Sequence, residues 1–194
     1  MTRQLITSTG KRKYLTQDER ERFLAAAAKL DRGEVRTLCM TLAYSGCRIS
    51  EALECDASRV DFSGKAITFR TLKQHGKDRY RAVPIPDVLL SALDDVHSIR
   101  RAQKRKQRGE GVTLWSWGRT QASKHIYALL AEAGISGAHA SPKGLRHGFG
   151  VRVAKQTRNP RLVQKMLGHA NLETTAIYMD VAGLEAREEM ALTW

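Results

Sequence analysis
The sequence predicts a mostly α-helical domain that carries one small antiparallel β-hairpin or three-stranded sheet. Three observations carry this reading. Apolar residues recur at the 3.6-residue helical spacing through most of the 194-residue chain. Capping residues and glycines stand at the ends of those stretches. Only residues 60–86 exchange the helical pattern for short β-branched and aromatic runs between turn signals. The length suits one domain with short tails and allows a sizeable core.

Residues 1–14 are polar, hold the basic group Lys11, Arg12 and Lys13, and read as an N-terminal arm or the remnant of a linker. Thr16 with Glu19 forms a capping-box signature, opening a helix whose Phe23, Leu24, Ala27 and Leu30 share a face. Gly33 separates it from a second helix, with Val35, Leu38, Cys39, Leu42 and Ala43 inward. Gly46 breaks that helix, and Arg48 to Leu53 restarts the pattern. Val60 and Phe62 precede the turn Ser63-Gly64-Lys65, and Ala66 to Phe69 reads as a strand. A polar bend at 74–78 leads to a second strand around Tyr80 to Ile85, ended by Pro84 and Pro86. The helix from Asp87 has Leu89, Ala92, Leu93 and Val96 as its core face. Its charged tail, residues 100–111, reads as a solvated helix end and loop, with a DNA contact as the other reading. Ile126, Leu129, Leu130 and Ala133 mark another helix, stopped by Gly134. Ser141-Pro142 and Asn159-Pro160 each supply an N-cap and a first-turn proline. The helices they open pack Leu145, Phe149 and Val153, then Leu162, Val163, Met166 and Leu167, with Gly168 as the stop. A short helix through Tyr178 and a last one from Leu184 to about Leu192 complete the series.

Thirty-three Lys and Arg against 20 Asp and Glu leave a net charge of +13. Such a field attracts polyanions and disfavours acidic partners, which points to nucleic acid; a basic but uninvolved surface is the plain alternative. Cys39, Cys47 and Cys55 are odd in number and include no CxxC pair. Free, buried thiols in a reducing compartment are therefore expected, not a zinc or disulfide framework. The first residues lack the apolar run of a signal peptide, and no window spans a bilayer, so the chain reads as cytoplasmic with no membrane partner. No Asp/Glu cluster suggests Mg²⁺ ligands and no glycine-rich phosphate loop is present, so chemistry without metal or cofactor is expected.

Four separated segments place polar residues where a helix or turn holds them: GCRISEAL at 46–53, TLKQHGKDRYRAVPIP at 71–86, SPKGLRHGFG at 141–150 and LGHANLETTAIYMD at 167–180. Arg48 follows the break at Gly46, and Glu51 shares its face one turn on. Lys143 and Arg146, three apart, project together; His169 follows a glycine stop, and Tyr178 lies on a helix expected to be short and movable. Singly, each has an ordinary structural explanation: an ion pair, a helix-end histidine, a core or surface tyrosine. As a set they suit one reaction. Attack on a phosphodiester builds negative charge on the non-bridging oxygens, and two guanidinium forks stabilise it bidentately. A phenol with an ordinary pKa of about 10 needs a base or a cationic setting to attack at neutral pH. A covalent phosphotyrosine conserves the bond energy for religation without ATP.

In order and approximate spacing these segments resemble the conserved boxes of the tyrosine recombinase, or phage integrase, family, from about residue 14 to 182. The most specific pieces are Leu-Arg-His at 145–147 and Leu-Gly-His followed by Thr-Thr-x-x-Tyr at 167–178. The resemblance implies that family's catalytic-domain fold over residues 15–182, with residues 183–194 as a helical tail that docks on a neighbouring protomer or packs on its own domain. It implies cleavage and religation of double-stranded DNA through a 3′-phosphotyrosyl link on Tyr178. Arg48 and Arg146 would grip the scissile phosphate, Lys73 would protonate the leaving 5′-oxygen, and His169 would hydrogen-bond a phosphate oxygen. Lys143 stands where the family commonly has histidine, and would act as a base or as a charge stabiliser. Glu51 would orient the site. Lys73 is preferred to Lys77 because Thr-Leu-Lys matches the family's arrangement better.

Implied partners are duplex DNA, further copies of the chain in a tetramer on DNA, and an accessory DNA-bending protein. Relatives carry a separate N-terminal core-binding domain that this sequence is too short to hold, as in a naturally short member or a fragment. Two other readings of the same residues are a type IB topoisomerase, which shares fold and most catalytic types, and a non-catalytic DNA-binding relative.

Overall fold
The computed structural model describes residues 5–74, 77–105 and 112–191, apart from the side chains of 72–74, 77, 78, 186 and 188–190. Helices α1 (Gln17–Ala28), α2 (Gly33–Ser45) and α3 (Ile49–Leu53) lead through a 3₁₀ turn (Ala57–Arg59) into strands β1 (Val60–Asp61), β2 (Ala66–Gln74) and β3 (Lys77–Pro84). Helices α4 (Asp87–His97), α5 (Ile99–Lys104), α6 (Arg119–Glu132), α7 (Pro142–Thr157), α8 (Pro160–Leu167) and α9 (Glu173–Ala191) follow. Mostly helical with one small antiparallel sheet, the architecture is the one expected.

The helix ends follow their capping chemistry. The Thr16 side chain accepts from the Glu19 N–H while the Glu19 carboxylate accepts from the Thr16 N–H at 2.9 Å. Ser141 caps α7 and Asn159 caps α8, each followed by proline. Gly46 (φ +60°) ends α2 and Gly168 (φ +65°) ends α8, both in the left-handed region that glycine enters at least cost.

Helices α2 and α7 form the centre. Leu38, Leu42 and Ala43 of α2 and Leu145, Phe149 and Ala154 of α7 are buried, and the two helices pack on each other, with α1 and α4 against α2 and α8 and α9 against α7. The sheet has order β1-β2-β3, all antiparallel, with Ile67 opposite Val83 and Phe69 opposite Arg81. Alternation puts Ile67, Phe69 and Thr71 of β2 and Arg81 and Val83 of β3 on the buried face. A charged residue among them needs a partner, and Arg81, packed 5.4 Å from the Phe69 ring centroid, finds one in α3.

Two features differ from the sequence reading. The short helix through Tyr178 and the last helix from Leu184 are one continuous α9, with Gly183 inside it. A mid-helix glycine costs only about 1 kcal/mol, and Ile177, Tyr178, Val181 and Ala182 are all buried on the domain just before it, so packing carries the helix through. The polar first segment also lies against the domain: Leu5 and Tyr14 are buried, and the Tyr14 hydroxyl donates to Glu185 of α9 at 2.5 Å.

The charged run after α4 turns at Ser98 into α5, anchored by buried Ile99; residues 106–111 of that run lie outside the described residues. All three cysteines are buried and free, and burial pushes the Cys39 and Cys47 thiols up to about 12. Among the described residues no helix is long and apolar enough to cross a membrane.

Candidate active site
The α2–α3 turn and the ends of α7, α8 and α9 bring Arg48, Lys143, Arg146, His169 and Tyr178 to one cleft of about 460 Å³. Arg48 and Arg146 therefore lie on the same side of the domain, as phosphate binding requires. Lys73 lies on β2 and Lys77 opens β3, but the side chains of both fall outside the described residues, so the hairpin lysine is not placed.

Glu51 braces the arginines. Its carboxylate has no exposed surface and accepts from Arg81 Nη2 at 2.6 Å and Nη1 at 3.1 Å. It also accepts from the Arg48 main-chain N–H at 2.8 Å and Arg48 Nη1 at 2.7 Å. Burial alone would raise its pKa, but the hydrogen bonds and charge of Arg81, then the Arg48 amide, hold it below the ordinary 4.5. Glu51 is thus an anion that orients Arg48. Arg81 also donates to Thr71 Oγ1 at 3.0 Å and to the Met166 carbonyl at 2.9 Å, tying the sheet to α8.

Arg146 is buried and staples the two glycine-capped ends together. Its Nη1 donates to the Gly46 carbonyl at 2.8 Å and its Nη2 to the Leu167 carbonyl at 2.6 Å. An arginine has five N–H donors, so others remain for an anion in the cleft. Burial, then the charge of Arg48, lowers its pKa to about 10, and it stays cationic at neutral pH.

Tyr178 is 1% exposed. Its ring occupies the place where Gly150 has no side chain, since a Cβ there would overlap it. The His169 ring stacks on it, centroids 5.8 Å apart and 24° between planes, and His169 Nδ1 lies 3.2 Å from Thr175 Oγ1. Burial first, and then Arg146 and Arg48, drive the His169 pKa down to about 3, so its imidazole is neutral. Burial pushes the Tyr178 phenol up to about 12, against the opposing pull of Arg146 and Arg48. The phenol is therefore protonated at rest. Lys143 is exposed at the edge of the same cleft.

The structure adds residues that sequence reasoning passed over. His147 places Nδ1 2.8 Å from the Tyr178 hydroxyl. It stands in the Leu-Arg-His motif directly after Arg146, the residue the resemblance singles out there. Arg81 shares a strand face with Val83, and period-2 alternation could have marked it as a buried cation. Lys13 and Arg119 also line the cleft; nothing local in the sequence ties either to it. Taken together, a cationic cleft holds a phenol ring beside two guanidiniums, an arrangement able to bind a phosphate-sized anion.

Fold and site define the class: a helical domain with a small sheet and a tyrosine seated among arginines and histidines, the architecture of tyrosine recombinase catalytic domains. The chain belongs to the phage integrase family, whose sequence profile matches residues 13–184. It is 28% identical over 184 residues to the tyrosine recombinase XerA of Pyrococcus horikoshii, covering 91% of this chain and 59% of that protein. It is 34% identical over 188 residues to XerD of Caulobacter vibrioides, covering 88% and 58%. The crystal structure of XerA recombinase superposes with a TM-score of 0.73 at 27% identity, over 91% of this chain and 64% of that one. XerH in a post-cleavage complex with a palindromic difH substrate shares the fold at a TM-score of 0.76 and 23% identity, over 95% and 55%. The chain spans about three fifths of the length of the tyrosine recombinases it matches.

Proposed function
We propose that this chain carries the catalytic domain, residues 15–182, of a cytoplasmic site-specific DNA recombinase that cuts and rejoins duplex DNA through Tyr178. The observation that carries the reading is the convergence of Arg48, Arg146, His169 and Tyr178 on one cleft. The Tyr178 oxygen attacks the scissile phosphorus, forming a 3′-phosphotyrosyl bond and releasing the 5′-oxygen. Arg48 and Arg146 neutralise the non-bridging oxygens; losing one such partner typically lowers the rate by about 10²–10³. His169 donates a hydrogen bond to a phosphate oxygen, Lys143 adds positive charge at the edge, and Lys73 protonates the leaving oxygen. Attack by the 5′-hydroxyl of a second strand reverses these steps and completes exchange. Family membership supports a homo-tetramer on paired sites, residues 183–194 as a docking tail, and an accessory DNA-bending protein.

The test is a nicked suicide duplex carrying candidate sites. A covalent adduct at the 3′ side, insensitive to EDTA, is expected from the wild type, and none from Tyr178→Phe, which still binds the duplex. Adducts that persist in the Phe variant would move the nucleophile elsewhere. Relaxation of plasmids without any special site would mark a topoisomerase instead.

A further inference from the structure
The recombinase reading needs an acceptor for the Tyr178 phenol proton; Lys143, the base the resemblance offers, is exposed at the cleft edge, whereas another group lies at the phenol oxygen itself. Tyr178 is protonated at rest, and with its pKa near 12 the phenolate amounts to about one part in 10⁵ at pH 7. The phenol proton must therefore leave during attack. Among the described residues no carboxylate lines the cleft. Its charged and titratable groups among the described residues, besides Tyr178, are Lys143, Arg146 and His147 of α7, Arg48 beside α3, Arg119 of α6, His169 before α9, and Lys13 of the first segment. The arginines have no acceptor site. His169 lies stacked on the ring face, with its Nδ1 beside Thr175, and is a very weak base in this setting. His147 is the group at the oxygen, with Nδ1 2.8 Å from it and the two rings tilted by 46°.

Resting on the recombinase reading, we propose that His147 is a catalytic residue whose Nδ1 takes the Tyr178 phenol proton as the phenol oxygen attacks phosphorus. In that step the phenol O–H bond breaks, the O–P bond forms, and the P–O5′ bond breaks, with the departing oxygen protonated separately. His147 becomes an imidazolium. On religation the incoming 5′-oxygen displaces the phenol oxygen, and His147 returns the proton to it. The neutral tautomer this requires keeps hydrogen on Nε2 and leaves Nδ1 as the acceptor.

Two measurements test this. In the full chain labelled with ¹⁵N-histidine at about pH 7.5, His147 Nδ1 should resonate as an unprotonated ring nitrogen and shift in Tyr178→Phe. A protonated Nδ1, donating to the phenol, would overturn the proposal without any DNA present. On the suicide duplex, His147→Asn keeps a polar atom near the Nδ1 position but cannot take up a proton. It should melt and bind DNA like the wild type yet cleave about 100-fold or more slowly at pH 7, the deficit narrowing as pH rises and phenolate forms unaided. Imidazole added to His147→Ala should restore part of the lost rate. Cleavage by His147→Asn at the wild-type rate with the wild-type pH profile would sink the inference alone. A wild-type chain forming no Tyr178 adduct on any duplex would sink the recombinase reading with it.

Discussion

The Glu51 carboxylate shows how much of the site depends on a single buried charge. It is fully enclosed, neutralises Arg81 and aims Arg48. Removing one partner of a buried pair leaves the other uncompensated, at a cost of about 3–5 kcal/mol. Glu51→Gln should therefore lower the unfolding free energy read from a urea titration by that order, with a lower midpoint, and weaken phosphate binding through misplacement of Arg48. Its pH dependence has a definite sign. The folded pKa lies below 4.5, so the contribution is fully present above pH 4.5 and is lost as pH falls through the lowered folded value. Acid titration of stability should show this component in the wild type and not in Glu51→Gln. Equal midpoints in the two proteins would remove Glu51 from its bracing role.

The elements matter through where they stop and where they run on. α2 and α8 end in left-handed glycines, and the buried carbonyls Gly46 O and Leu167 O at those ends are the ones Arg146 holds. Ordinary helix termination thus becomes the scaffold for Arg48 on one side and His169 on the other. α9 does the opposite: it passes through Gly183 without a break. Nothing lies within 4 Å of a Cβ built at Gly183. Gly183→Ala should then stabilise the chain by up to about 1 kcal/mol, because alanine loses less backbone entropy in a helix. A thermal melt checks this. A lower melting temperature would mean that the second half of α9 is not helical in solution.

For the molecule as a whole, the net charge of +13 would set how a recombinase of the proposed kind meets DNA. Lys13, Arg48, Arg119, Lys143 and Arg146 line one cleft, so positive potential is concentrated where the tyrosine sits. If about four phosphates are neutralised, counterion release predicts that duplex affinity falls about 100-fold between roughly 50 and 200 mM salt. Titrations at several salt concentrations read the slope directly. An affinity independent of salt would place binding on contacts other than these cations.

The chain by itself determined most of its helices, their caps and the motifs that line the candidate cleft. Thr16, Ser141 and Asn159 act on neighbours within three residues, and apolar periodicity acts within one helix, so both are written locally. The ordered boxes around Arg48, Arg146, His169 and Tyr178 were likewise legible as motifs. What only the tertiary structure decided were relations between distant residues. Arg81 and Glu51 are 30 positions apart and meet through the fold of the sheet onto α3. His147 and Tyr178 are 31 apart and meet through the packing of α7 on α9. Gly183 reads locally as a break, yet the buried face of α9 outweighs its small propensity penalty. Local chemistry has short reach, whereas burial sums over every contact a folded chain makes, so pairing across elements and the continuity of α9 emerge only when the core closes.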